Sequence, residues 1–201
     1  MNQKVNLWVD KKKVVRIFEL SGTNRKLFSA QFEGEELTDT GEIQHAFSKI
    51  RADWSNPNWF RSFFTEFRQD YFDFYGSARL NGMVKEAIEF ADDLFEELAE
   101  HAGKGDLESL FKPLENSENV QVYEFQKLKV KGRERKSYLR VYAVRFGDEF
   151  VITGGTVKLT RFMKDRPHTR LALNRLDAVA EFLRQNDMEG KIIYLESKKD
   201  D

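Results

Sequence analysis

The sequence predicts an α+β fold: an N-terminal hairpin plus two helices, then a helix followed by a three- or four-stranded antiparallel sheet and a C-terminal helix. Three observations carry this. Apolar residues alternate in short runs near the start and again after residue 120. Between and after those runs they recur at spacings of three and four. Turn-forming residues stand where the two periods meet.

Residues 5–20 and 26–33 hold β-branched and aromatic residues on either side of SGTN, the pattern of a hairpin. Ile43, Ala46, Phe47, Ile50 and Trp54 make the apolar face of a first helix, with Thr40, Gly41 and Glu42 as its start signal. A second helix follows Asn58, because Phe60, Phe63, Phe64, Phe67, Tyr71, Phe74 and Tyr75 form one stripe that ends near Gly76. Stripes of this kind stack bases in single-strand binders, but those binders interleave cations, and only Arg61 and Arg68 accompany this one. A thick core or an interface between halves is the plainer reading.

SARLNG at 77–82 reads as a joint, dividing the chain into an N-terminal α+β module, 1–80, and a second α+β domain, 81–201. Beyond it Val84, Ala87, Ile88, Ala91, Leu94, Phe95, Leu98 and Ala102 mark a helix ended by Gly103 and Gly105. A helical turn around Leu107, Leu110 and Phe111 is limited by Pro113. Three strands are expected over 120–130, 138–146 and 150–160, joined by KGRERKS and FGDE into an antiparallel meander. Leu171, Leu173, Leu176, Val179, Ala180, Phe182 and Leu183 predict the last helix, and 191–196 a short strand.

Composition bounds the chemistry. With 40% hydrophobic residues, 18 Phe and only 3 Pro in 201 residues, the chain is one that packs a core. No Cys means no disulfide, no thiolate nucleophile and no Cys-based metal site. His45 and His101 stand alone on helix segments, so neither a metal nor another cofactor is expected. No run of about 18 apolar residues occurs, which predicts a soluble, cytoplasmic protein with no membrane partner.

The net charge of −1 hides a segregation. Residues 83–103 carry seven carboxylates and one lysine, while 120–175 carry 14 Lys and Arg against five Asp and Glu. Such runs are usually solvated faces, or pair with each other inside the fold. The alternative is an anionic partner: in Lys127-Leu128-Lys129-Val130-Lys131 a two-residue period sets three ammonium groups on one strand face, and Arg133, Arg135 and Lys136 follow.

The segments Phe111-Lys112-Pro113-Leu114, Leu139-Arg140-Val141-Tyr142 and Gly154-Gly155-Thr156-Val157-Lys158 resemble the local patterns of the RelE/HigB-like toxins of toxin–antitoxin systems, over roughly residues 82–185. Residues 1–80 have no counterpart in that resemblance. It implies a metal-independent endoribonuclease that cleaves mRNA, often on the ribosome, by attack of the RNA 2′-hydroxyl, and that is neutralised by an antitoxin protein. Such a reaction needs a base, cations for the phosphorane and an acid for the leaving oxygen. The resemblance implies Lys129, Arg140, Lys158 and His168 for catalysis, with Lys127, Lys131, Arg133, Arg135, Lys136 and Arg161 binding the nucleic acid. Each has a plainer reading too. Lysines guard edge strands, His168 stands beside a helix start, Arg140 can pair with the acidic helix, and Gly154-Gly155 can be a bulge or a close backbone approach. A RelE-fold protein that binds a protein or nucleic acid without cutting it is the alternative function.

Overall fold

The computed structural model describes residues 12–20, 22, 26–76, 80–114, 127–130, 133–160, 162, 164–186 and 192–197. The chain is α+β, with elements in the expected order. β1 (Val14–Glu19) and β2 (Leu27–Phe32) are the N-terminal hairpin, paired antiparallel. Three helices follow: α1 (Ala46–Trp54), α2 (Pro57–Glu66) and α3 (Arg68–Tyr75). The long helix α4 (Leu80–Lys104) and the single turn α5 (Leu107–Leu110) lead into β3 (Phe111–Pro113). The remainder comprises β4 (Lys127–Val130), β5 (Arg133–Lys136), β6 (Leu139–Phe146), β7 (Glu149–Val157), α6 (Pro167–Gln185) and β8 (Ile192–Ser197).

Two departures from the expected topology decide where side chains meet. First, the main sheet is six-stranded and mixed, in the order β1-β2-β7-β6-β8-β3. β2 runs parallel to β7, with Leu27, Phe28 and Ser29 in register with Phe150, Val151 and Ile152. The expected boundary near residue 80 falls at the start of α4, and both sides of it contribute to one sheet and one hydrophobic core. Second, among the described residues β4 and β5 pair only with each other, in a separate two-stranded sheet. The stretch read as a linker, Arg133–Lys136, is itself a strand, so Lys127 and Lys129 are not on a neighbour of β6.

β6 is buried over its first six residues and β7 over most of its length, which places apolar cover on both faces of the sheet centre. α1 and α6 pack on β7, while α4 packs on α2 and β6. The aromatic stripe of α2 and α3 is core: Phe60 and Phe64 are fully buried and Tyr71 nearly so. Each such ring contributes on the order of 2 kcal/mol by leaving water. One helix was expected here, but Phe67 departs from helical geometry (φ −107°, ψ 31°) and divides it in two.

α1 starts later than Thr40 suggested. Residues 38–42 close a tight turn, with Gly41 at φ +82° and the Thr38 hydroxyl accepting from Glu42 N at 3.0 Å. His45 is the N-cap, its side chain accepting from Ser48 N in a capping box. The fully buried Ser29 of β2 accepts from Phe47 N at 2.9 Å, fixing α1 to the sheet. At the other end of α1, Trp54 lies flat on β7: a Cβ at Gly155 would come within 2.8 Å of Trp54 Cη2 and 3.1 Å of the Arg140 carbonyl oxygen. Neither an indole in a packed core nor a strand backbone can retreat from such a contact without cost. Gly155→Ala is therefore expected to lower unfolding stability by about 1–3 kcal/mol, read as a lower urea midpoint at unchanged slope; a midpoint equal to the parent's would show that Trp54 is not held there.

Candidate functional site

A cleft of about 350 Å³ opens where α1, α2, the end of β7 and the start of α6 meet. Its apolar walls are Trp54 from α1, Trp59 and Phe63 from α2, and Phe67 at the α2–α3 junction. Trp59 and Phe63 stack with their planes 15° apart. Polar groups enter from Lys49 and Asp53 on α1, Ser62 and Glu66 on α2, Thr156 on β7, and His168 and Arg175 on α6. His168, Leu171 and Arg175 are three and then four residues apart, so one face of α6 presents all three.

The start of α6 is held from a distance. Arg166, its N-cap, donates twice to the buried Asp70 of α3, at 2.7 and 2.6 Å. That bidentate geometry is the strong form of an ion pair. Pro167 then takes the first helical position, where its missing N–H costs nothing. His168 is thereby pressed edge-on against Phe63 and Phe67, at 5.0 and 4.6 Å between ring centres. Its Nε2 lies 3.0 Å from the Val157 carbonyl oxygen. A carbonyl only accepts, so Nε2 carries the proton and Nδ1 keeps its lone pair. Nδ1 is buried and has no hydrogen-bond partner among the described residues. Burial pushes the His168 pKa down to about 4, so the ring is neutral at pH 7.

Arg175 is nearly buried and donates to Glu35 at 2.6 Å, with its guanidinium 4.9 Å from the centre of the Phe32 ring. Its Nε has no partner among the described residues. Glu35 also meets Lys12 at 3.4 Å. Asp53 pairs with Lys49 at 3.4 Å, and desolvation nonetheless holds its carboxyl above the usual range, against the pull of Lys49.

Of the residues that the resemblance implied, His168 lines the cleft and two others sit behind its wall. Arg140 is opposite Thr156 across the β6–β7 pairing, and Lys158 follows β7 directly. Both are 2% exposed. Arg140 donates to the carbonyl oxygens of Leu139 and Ser137. Neither side chain is presented at the surface in this conformation. Lys127, Lys129, Arg133, Arg135 and Lys136 lie on β4 and β5, described by their backbone alone, and Lys131 and Arg161 lie outside the described residues. Lys49, Asp53 and Arg175 were missed by sequence reasoning. The His168-Leu171-Arg175 spacing was the available signal, but nothing local ties it to α1.

No family model matches this chain, and neither the curated proteins nor the solved structures contain a significant match. Among the described residues no group of three or more His, Asp or Glu side chains could hold a metal ion, and no helix is long and apolar enough to cross a membrane.

The His168 environment sets a pH dependence. The folded pKa of about 4 lies below the ordinary 6.5, so below pH 6.5 the unfolded chain binds the proton more readily. The stability contributed by neutral His168 is complete above pH 6.5 and is lost as pH falls toward 4, by up to about 3 kcal/mol. His168→Gln, which keeps a donor for Val157 but does not titrate, is expected to reduce the difference between unfolding free energies at pH 7 and pH 4.5; an identical pH profile in the variant would place the loss elsewhere.

Proposed function

We propose that this chain is a cytoplasmic RNA-binding protein whose β4–β5 hairpin contacts the phosphate backbone, the non-cutting form of the RelE-like reading. The observation that carries it is the hairpin itself. Within ten residues it holds Lys127, Lys129, Lys131, Arg133, Arg135 and Lys136 against the single carboxylate Glu134. Its strands pair with each other and not with the main sheet, with Lys127 opposite Lys136 and Leu128 opposite Arg135. A two-stranded ribbon with this density of cations suits a polyanion, because each neutralised phosphate releases counterions. Residues 133–136 of the hairpin run directly into β6, so a bound strand would lie near the main body.

The second reading is the endoribonuclease toxin, acting on mRNA and held by an antitoxin. One observation favours it: the neutral His168, with an acceptor nitrogen, shares a cleft with Arg175, Asp53 and Lys49. An imidazole base and a guanidinium lining one cleft are groups that 2′-hydroxyl attack on a phosphodiester can use. In this version His168 keeps the part that the resemblance gave it, and Arg175 would take the cation's part given to Arg140 and Lys158.

Anisotropy of a labelled single-stranded RNA tests the binding reading. Affinity is expected to fall linearly on logarithmic axes with rising salt, with a slope near −0.7 for each phosphate contacted. Replacing the six cations of residues 127–136 by alanine should bring that slope close to zero. RNA binding that ignores salt, or that survives the six replacements, defeats it. Gel analysis of the same RNA separates the second reading, which requires shortened products with 2′,3′-cyclic phosphate ends that vanish in His168→Gln.

A further inference from the structure

We infer that the cleft between α2 and the start of α6 is a binding pocket for a nucleoside, a flat heteroaromatic ring joined to a hydroxylated sugar. This deepens the RNA reading, which supplies one of the two sources of such a ligand: a nucleoside unit within a strand, or a free nucleoside.

Four features of the walls select that chemistry. The volume, about 350 Å³, lies in the lower part of the roughly 300–1,000 Å³ range of small-molecule pockets. It is a size for one nucleoside and not for a peptide. Aromatic side chains supply the apolar part, with Trp59 half-buried, stacked on Phe63 and edge-on to Phe60, as a platform in the cleft wall. Base stacking on such a platform contributes about 1–3 kcal/mol.

Hydrogen-bonding capacity remains unused in the same walls. His168 Nδ1 is an acceptor and Arg175 Nε a donor, and both are buried without a partner among the described residues. Buried polar atoms are almost always satisfied, by protein, water or ligand. Leaving one unsatisfied costs about 1–3 kcal/mol. The two residues stand two helical turns apart, about 10 Å along α6. A bare ring does not span that distance, whereas a nucleoside presents a ring edge at one end and sugar hydroxyls at the other. Thr156 of β7 also lines the cleft.

Charge excludes the phosphate as the group recognised. Lys49 is matched by Asp53 and Arg175 by Glu35, and Glu66 adds a further carboxylate at the mouth. A phosphate entering here would have to displace a carboxylate from its cation. The division of labour follows: the hairpin holds phosphates, and the cleft holds one uncharged nucleoside unit.

The test uses the full chain and its tryptophan emission, since two of the three Trp residues, Trp54 and Trp59, line the cleft. Adenosine, guanosine, cytidine and uridine are titrated separately, and at least one is expected to quench emission saturably with a Kd below about 1 mM. Ser62 is exposed at the mouth, so Ser62→Trp should fill the cleft without disturbing the core and weaken that nucleoside at least about tenfold. Arg175→Lys, which removes Nε but keeps the charge, should weaken it as well. No saturable response to any nucleoside, or an equal affinity in Ser62→Trp, overturns the inference.

A second arm compares a single-stranded oligonucleotide with an abasic strand of equal length. Preference for the base-bearing strand, lost in Ser62→Trp, assigns the source to RNA. Nucleoside binding with no affinity for either strand upholds the pocket and removes the RNA reading. Equal, salt-dependent binding of both strands with no response to nucleosides upholds the hairpin and removes the pocket.

Discussion

The parallel pairing of β2 with β7 is the constraint from which the remaining arrangement follows. It places Ser29 beside Ile152, and Ser29 caps the first turn of α1. With its start pinned, α1 runs over the sheet until Trp54 reaches Gly155, where only the absence of a Cβ lets indole and strand approach so closely. The same pairing brings the loop after β2 within reach of α6, so that Glu35 meets Arg175 at 2.6 Å. Without that strand pair the cleft would lose the α1 wall and the partner of its arginine together.

The positive charge of residues 120–175 is correspondingly smaller in effect than its count in the sequence. Arg166 is taken up by Asp70, Arg175 by Glu35 and Arg145 by Glu108. These carboxylates come from α3, the β2–α1 loop and α5. On α4, Lys85 with Glu89 and Lys104 with Glu100 pair within the helix, and Glu86 is buried beneath the Tyr71 hydroxyl at 2.8 Å. Two arginines of α6 thus tie the C-terminal helix to two separate N-terminal segments. A buried Arg175 stripped of Glu35, or a buried Asp70 stripped of Arg166, is costly, so both ties also act as locks on the docking of α6.

Periodicity made the elements legible. The stripe on α4 and the terminal helix are where three-four spacings place them, because burial of one face imposes the pattern locally, and β6 and β7 are marked by apolar runs between turn signals. Hairpin partners were legible, as β1–β2 and β6–β7 show, and long-range partners were not. A parallel strand pair between residues 27–29 and 150–152 leaves no local trace, and SARLNG resembles a domain joint although the adjoining segments share a core. The site suffered for the same reason. Arg140 and Lys158 are buried, and nothing local in their strands shows that helices drawn from the first 80 residues contribute to the cover. His168 was found by its chemistry alone, and Arg175, Asp53 and Lys49 were overlooked because the contact that unites them depends on the whole fold.

The β2–β7 pairing also dictates an order of events during synthesis. β2 leaves the ribosome more than a hundred residues before its parallel neighbour exists. Its apolar side chains, and the α1 surface that Ser29 organises, must wait in that interval with β1 and the helices already made but no sheet neighbour on the β7 side, and an isolated hairpin is marginal in water. Contacts of such long sequence separation form late and slowly, since the loop entropy must be met before the pairing contributes. The first third of this polypeptide is therefore a nascent chain with a sticky, half-finished edge, the kind of surface that chaperones engage, and it is relieved of that condition only when β7 arrives.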